Sequence, residues 1–146
     1  MTEQRIRSIK EQLSRYSVAL ISMFLALTSL GYNTWRNEKT EANRNIRVAG
    51  IEMILAMGKL HEVVFFSHYD DNDQLGDVKR GWVVVLSLLD LSMTMPDPVK
   101  KAAKQLHATW TAESAQLDES ETSLEQINSA IDQLRHEILM ALEALE

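Results

Sequence analysis

The sequence contains no cysteine, which excludes disulfides, thiolate zinc sites and cysteine nucleophiles while fitting either a reducing or an oxidising compartment. It has no internal repeat and no low-complexity segment, and its only two prolines, Pro96 and Pro98, stand together. Nothing in it assembles into a Ser-His-Asp grouping, a pair of carboxylates at helix-compatible spacing or a phosphate-binding loop, so it reads as non-enzymatic and without a cofactor. The longest absence is of charge. Residues 16–35 hold no Asp, Glu, Lys, Arg or His, although both flanks are densely charged.

Twenty helical residues at about 1.5 Å each reach roughly 30 Å, the thickness of a bilayer's hydrocarbon core. Residues 16–35 are therefore expected to form a single transmembrane helix, with Tyr16 at one end and Tyr32 and Trp35 at the other as interfacial anchors. Ala19, Ser22, Ala26, Ser29 and Asn33 recur at steps of three and four. They predict a face of small and polar side chains suited to helix packing, against the plainer reading that such residues are common in spans. The flanking basic residues tie, with Arg5, Arg7, Lys10 and Arg15 before the stretch and Arg36, Lys39, Arg44 and Arg47 after it. A short basic tail ahead of an apolar helix favours a signal anchor in a bacterial inner membrane, with the N-terminus in the cytoplasm and the remainder on the opposite side. The competing reading is a signal peptide cleaved near Ser29–Gly31.

The chain's net charge of −6 is unevenly divided. Residues 1–46 carry seven basic and four acidic side chains, and residues 47–146 carry eight and seventeen. An acidic distal part argues against nucleic acid as a partner, because phosphate binding needs clustered Lys and Arg. The basic stem suits anionic lipid headgroups.

Beyond residue 35 every apolar pattern is helical. Residues 36–45 are polar on all sides and are expected to continue as a helical stalk. Ile46, Gly50, Met53, Met57, Leu60 and Val64, widened by Ile54, Leu55 and Val63, predict a core-facing helix over about 46–67. The loop-forming composition of 68–76 ends it. Residues 82–95 are strongly apolar but too short to span and lack a partner strand, which favours a buried helix over about 77–93. Pro96-Asp97-Pro98 separates it from a helix over about 98–117, with Asp97 as cap and Val99, Ala103, Leu106, Trp110 and Leu117 on one stripe. Thr122 and Glu125 have capping-box spacing ahead of a helix over about 122–145. There Leu124, Ile127, Ile131, Leu134, Ile138, Ala141 and Leu145 keep a seven-residue repeat. The expected fold is all-α. It comprises a basic tail (1–15), a transmembrane helix (16–35), a polar stalk (36–45) and a membrane-proximal antiparallel four-helix bundle (46–146).

Several side chains invite a sharper reading. His61-Glu62 opens like the zincin motif, but Phe65 stands where the second histidine belongs. His68, Asp70, Asp71, Asp73 and Asp77 resemble a weak divalent-cation loop; Leu75 and Trp82 break the calcium pattern, and a solvated acidic turn accounts for them equally well. Asp90 in an apolar helix requires a polar edge or a partner such as His107. Trp82 and Trp110 read as core anchors. The function these features favour is an interaction, scaffold or accessory subunit of a membrane complex. Its partners would be the bilayer and a membrane protein or further copies of the chain. The alternatives are a ligand-sensing four-helix domain and a homo-oligomeric pore-forming subunit.

Overall fold

Long stretches without proline or helix-breaking turns commit this chain to helix. The structure, a computed structural model, describes residues 2–70 and 74–145, with side chains from residue 16 onward. Among the described residues the fold is all-helical, with four α-helices: α1 (Thr2–Tyr69), α2 (Val78–Ser92), α3 (Asp97–Glu113) and α4 (Glu121–Glu143). A 3-10 turn, Ser114–Gln116, follows α3. The chain divides into two compact units, Met1–Ala42 and Asn43–Glu146, and α1 contributes to both.

One expectation is corrected. Among the described residues no helix is long and apolar enough to cross a membrane. The stretch 16–35 is uncharged, but Ser17, Ser22, Thr28, Ser29, Asn33 and Thr34 thin its apolar content. Two of these turn their hydroxyls onto their own helix: Thr28 Oγ1 donates to Phe24 O at 2.7 Å and Thr34 Oγ1 to Leu30 O at 3.0 Å. The transmembrane helix, the single-pass localisation, the inner-membrane orientation with a cytoplasmic N-terminus and the membrane-proximal placement are all set aside with it. The basic side chains Arg5, Arg7, Lys10 and Arg15 lie outside the residues whose side chains are described.

Within the second unit the helices run antiparallel to their neighbours. His68, near the end of α1, meets Glu121 at the start of α4; His61 meets Arg135; and Gly50 lies against Leu142 near the end of α4. Gly81 of α2 faces Trp110 of α3, with the Trp82 ring edge-on to His107 at 5.8 Å. Helices α3 and α4 pair from Glu113 and Ser123 at one end to Val99 and Ala141 at the other. The core is continuous and includes Met53, Met57, Leu60, Leu88, Leu106, Trp110, Leu117, Ile127, Ile131, Leu134 and Ile138, all fully buried. Each such side chain removed from water is worth about 1.5–3 kcal/mol before cavity terms.

The helix ends explain the connections. Asp77 caps α2, its Oδ1 accepting from Lys79 N at 2.9 Å, and Arg80 donates to Gln74 O at 2.7 Å. Helix α3 begins one residue earlier than the cap expected of Asp97. Pro96 is its N-cap, Asp97 lies in the first turn, and no side chain closes it. Helix α4 is capped by Ser120, whose Oγ accepts from Ser123 N at 3.2 Å, in place of Thr122. Ser123 then donates to Glu113 Oε2 at 2.8 Å, tying α4 to the end of α3. Gly76 is required by close approach, since a Cβ there would stand 2.6 Å from Ser67 N and 2.7 Å from Phe66 C, both rigid backbone.

Candidate functional site

The side chains with most left to bury are on α1. In the first unit Val18, Leu20, Ile21, Met23, Phe24, Leu25, Leu27 and Leu30 are 56–68% exposed, with Tyr16, Tyr32 and Trp35 equally open. They point in all directions around the helix. Together they present on the order of 1,000 Å² of surface, against the roughly 800 Å² per partner that a standard interface buries. A helix that is apolar all round is normally enclosed. Ala19, Ser22, Ala26, Ser29 and Asn33, the small-residue face, are exposed as well. The Tyr32 and Trp35 rings lie 6.1 Å apart, tilted by 42°, and Lys39 Nζ sits 5.6 Å from the Trp35 ring, a cation–π contact.

In the second unit α1 presents its core stripe inward and a second stripe outward. Val48, Ile51, Leu55, Phe65 and Tyr69 are exposed, and Gly58 between them has nothing within 4 Å of its missing Cβ. The outward positions 48, 51, 55, 58, 62, 65 and 69 alternate steps of three and four, the spacing of a coiled-coil seam. The stripe ends in an aromatic run: Phe65 lies 5.4 Å from Phe66 and from Tyr69, and His68 4.7 Å from Tyr69. Val83 and Leu86 of α2 and its C-cap Met93 are also exposed. Sequence reasoning missed this surface, since it assigned Leu55 to the core and Leu55 is 65% exposed. The available signal was that apolar residues occupy two opposite faces of 46–69.

A small apolar cleft lies where the start of α3 meets the end of α4. It encloses about 260 Å³ and is lined by Pro96, Pro98, Val99, Met140, Ala141 and Ala144, with Glu137 and Leu145 at its edge. That volume suits one apolar side chain or a short hydrophobic ligand.

The candidate polar residues are occupied structurally. His68 Nδ1 donates to Leu117 O at 2.7 Å and its Nε2 faces Glu121 Oε2 at 3.1 Å. Both partners are acceptors, so a neutral ring satisfies one of them and an imidazolium both. The ring thereby joins the end of α1 to the α3–α4 connection. Asp77 is engaged as the α2 cap and Asp70 is exposed, while Asp71 and Asp73 lie outside the described residues. Among the described residues no three His, Asp or Glu side chains stand together so as to hold a metal ion. His61 accepts from Arg135 Nη2 at 3.3 Å through Nδ1. Burial foremost, and then the Arg135 charge, lower its pKa below the ordinary value of 6.5, against the smaller opposing pull of Asp132 and a backbone hydrogen bond at Met57. Asp90 is exposed on the outer face of α2 and His107 packs on Trp82. Trp110 is wholly buried, and its Nε1 has no hydrogen-bond partner among the described residues.

Set against known proteins, the chain matches no family model, no curated protein and no solved structure.

Proposed function

We propose that this chain is a non-enzymatic interaction module, whose work is to present an apolar helical surface that another polypeptide covers. One observation carries the reading: eleven large apolar or aromatic side chains between residues 16 and 35 are open to solvent, whereas the second unit has a closed core of its own. Leaving about 1,000 Å² of such surface in water forgoes on the order of 25 kcal/mol of burial, more than a folded domain's whole net stability. The four helices of the second unit read as an antiparallel four-helix bundle that holds the outward stripe of α1 rigid. The acidic character of residues 47–146 disfavours nucleic acid as the partner.

The test compares partner recovery on affinity purification of the tagged full chain and of the variant L20S/F24S/L27S, in buffer without detergent. Polypeptides recovered with the parent, untagged copies of the chain included, are expected to be lost with the variant. Equal recovery, or none with either, refutes the reading. A second reading, ligand sensing by the four-helix unit, is favoured by the cleft between Pro98 and Met140. It predicts that a short aliphatic or aromatic ligand raises the melting temperature of the full chain and that Ala141→Leu, which fills the cleft, abolishes the shift.

A further inference from the structure

We infer that the partner is a second copy of this chain, and that the two α1 helices pair antiparallel so that residues 16–30 of each copy lie on positions 55–69 of the other's outward stripe. This rests on the reading of the chain as an interaction module and names its partner.

The argument begins with spacing. Tyr16, Leu20, Met23, Leu27 and Leu30 recur at steps of four and three, as do positions 48, 51, 55, 58, 62, 65 and 69, and all of them are exposed. Counting on from Leu30 in the same steps passes through Thr34, Asn37, Glu41 and Arg44 and arrives at Val48. Both stripes therefore belong to one heptad frame, the condition for two helices to share a seam over many turns.

Charge and size then select the direction. A parallel, in-register pair stacks Glu41 on Glu41, Arg44 on Arg44 and Glu62 on Glu62, three like-charge layers in the seam. In the antiparallel pair Glu41 meets the partner's Arg44, and by symmetry Arg44 meets the partner's Glu41, two complementary contacts at its centre. The same register sets Leu30 against the partner's Leu55 and Leu20 against the partner's Phe65. It also sets the bulk of Leu27 against the partner's Gly58, whose missing side chain opens onto empty space. Glu62 meets the partner's Met23, so the seam holds no stacked like charges. Val18, Ile21 and Leu25 remain on the far side of the helix, where dimers can pair again, so the assembly mass is an even multiple of the chain.

The absence of native cysteine gives a clean background for cross-linking. Full-length L27C and G58C are prepared separately, mixed, re-equilibrated in detergent-free buffer and oxidised with copper phenanthroline, with light scattering on the untreated parent. The expected result is a reducible covalent dimer in the mixture, little in either variant alone, and a parent mass of an even number of chains. The pair L30C and L55C repeats the test one layer away, in case a variant of the first pair fails to melt like the parent. Covalent dimer from G58C alone overturns the antiparallel register in favour of a parallel one. A monomeric parent overturns the inference. So does flotation of the parent with phosphatidylcholine–phosphatidylglycerol vesicles without cross-linking, or a mass explained only by a different polypeptide; in the last case the broader module reading survives.

Discussion

Gly81→Ala is a substitution that local helix energetics and tertiary packing rank in opposite ways. In an exposed helix interior, replacing Gly with Ala stabilises by about 1 kcal/mol, because Ala loses less backbone entropy. At position 81 the added Cβ would stand 2.1 Å from Trp110 Cζ2 and 2.5 Å from Cη2. Carbon atoms settle at about 3.5–4.0 Å, so the indole or α2 must retreat by roughly 1.5 Å. Trp110 is fully buried within the core, so its indole cannot retreat without disturbing the residues packed with it. Overpacking of this kind costs about 1–3 kcal/mol, occasionally more, and outweighs the helix gain. Set against that gain the net loss reaches about 2 kcal/mol, so for a domain of this size the melting temperature should fall by up to roughly 10 °C. Gly58→Ala is the matched control, since nothing lies within 4 Å of its Cβ. It should raise stability by about 0.5–1 kcal/mol. Urea unfolding of the full chain, followed by circular dichroism and by tryptophan emission, measures both. If Gly81→Ala proves as stable as the parent, the close approach of α2 to Trp110 is refuted.

Other outcomes follow from the same packing. Leu134→Ala, at a fully buried position of α4, should cost about 2–5 kcal/mol in the same urea experiment. His68→Ala removes the hydrogen bond to Leu117 O and the contact with Glu121, and should cost about 1–2 kcal/mol while increasing amide exchange near the end of α1. His61 has a folded pKa below its unfolded value of 6.5, so in the window between the two the unfolded chain binds the proton more readily. Its contribution is neutral above 6.5 and destabilising as pH falls through that window. His61→Gln, which keeps a polar group beside Arg135, should flatten the acid side of the stability–pH curve relative to the parent; an unchanged slope would refute the assignment.

Much of the second unit was legible in the sequence, for identifiable reasons. Leu124, Ile127, Ile131, Leu134 and Ile138 are buried because a seven-residue repeat on an amphipathic helix leaves one direction for the core. The stripe Val99, Ala103, Leu106, Trp110 and Leu117 is buried for the same reason. The cap of α4 was misread by two residues, since Ser120 and Thr122 both offer hydroxyls and only tertiary placement chooses between them. The outward stripe of α1 was not legible, because apolar residues on two faces look from sequence like one wide core face, and Leu55 was drawn into it. Residues 16–35 misled in a different way. Absence of charge is not the same as apolarity: serine, threonine and asparagine leave the stretch uncharged while thinning its apolar content, and no described helix is apolar enough to cross a membrane.

The three tryptophans sit in three different surroundings: Trp35 open beside Lys39, Trp82 half-covered by His107, and Trp110 sealed in the core with an indole N–H that finds no partner among the described residues. Each responds to a different event. Acrylamide reaches Trp35 first, so its quenching falls when the first unit is covered, whereas Trp110 emission shifts to the red only when α2 and α3 part. The protein therefore carries its own optical reporters, and coverage of its surface can be timed separately from loss of its core without attaching a dye.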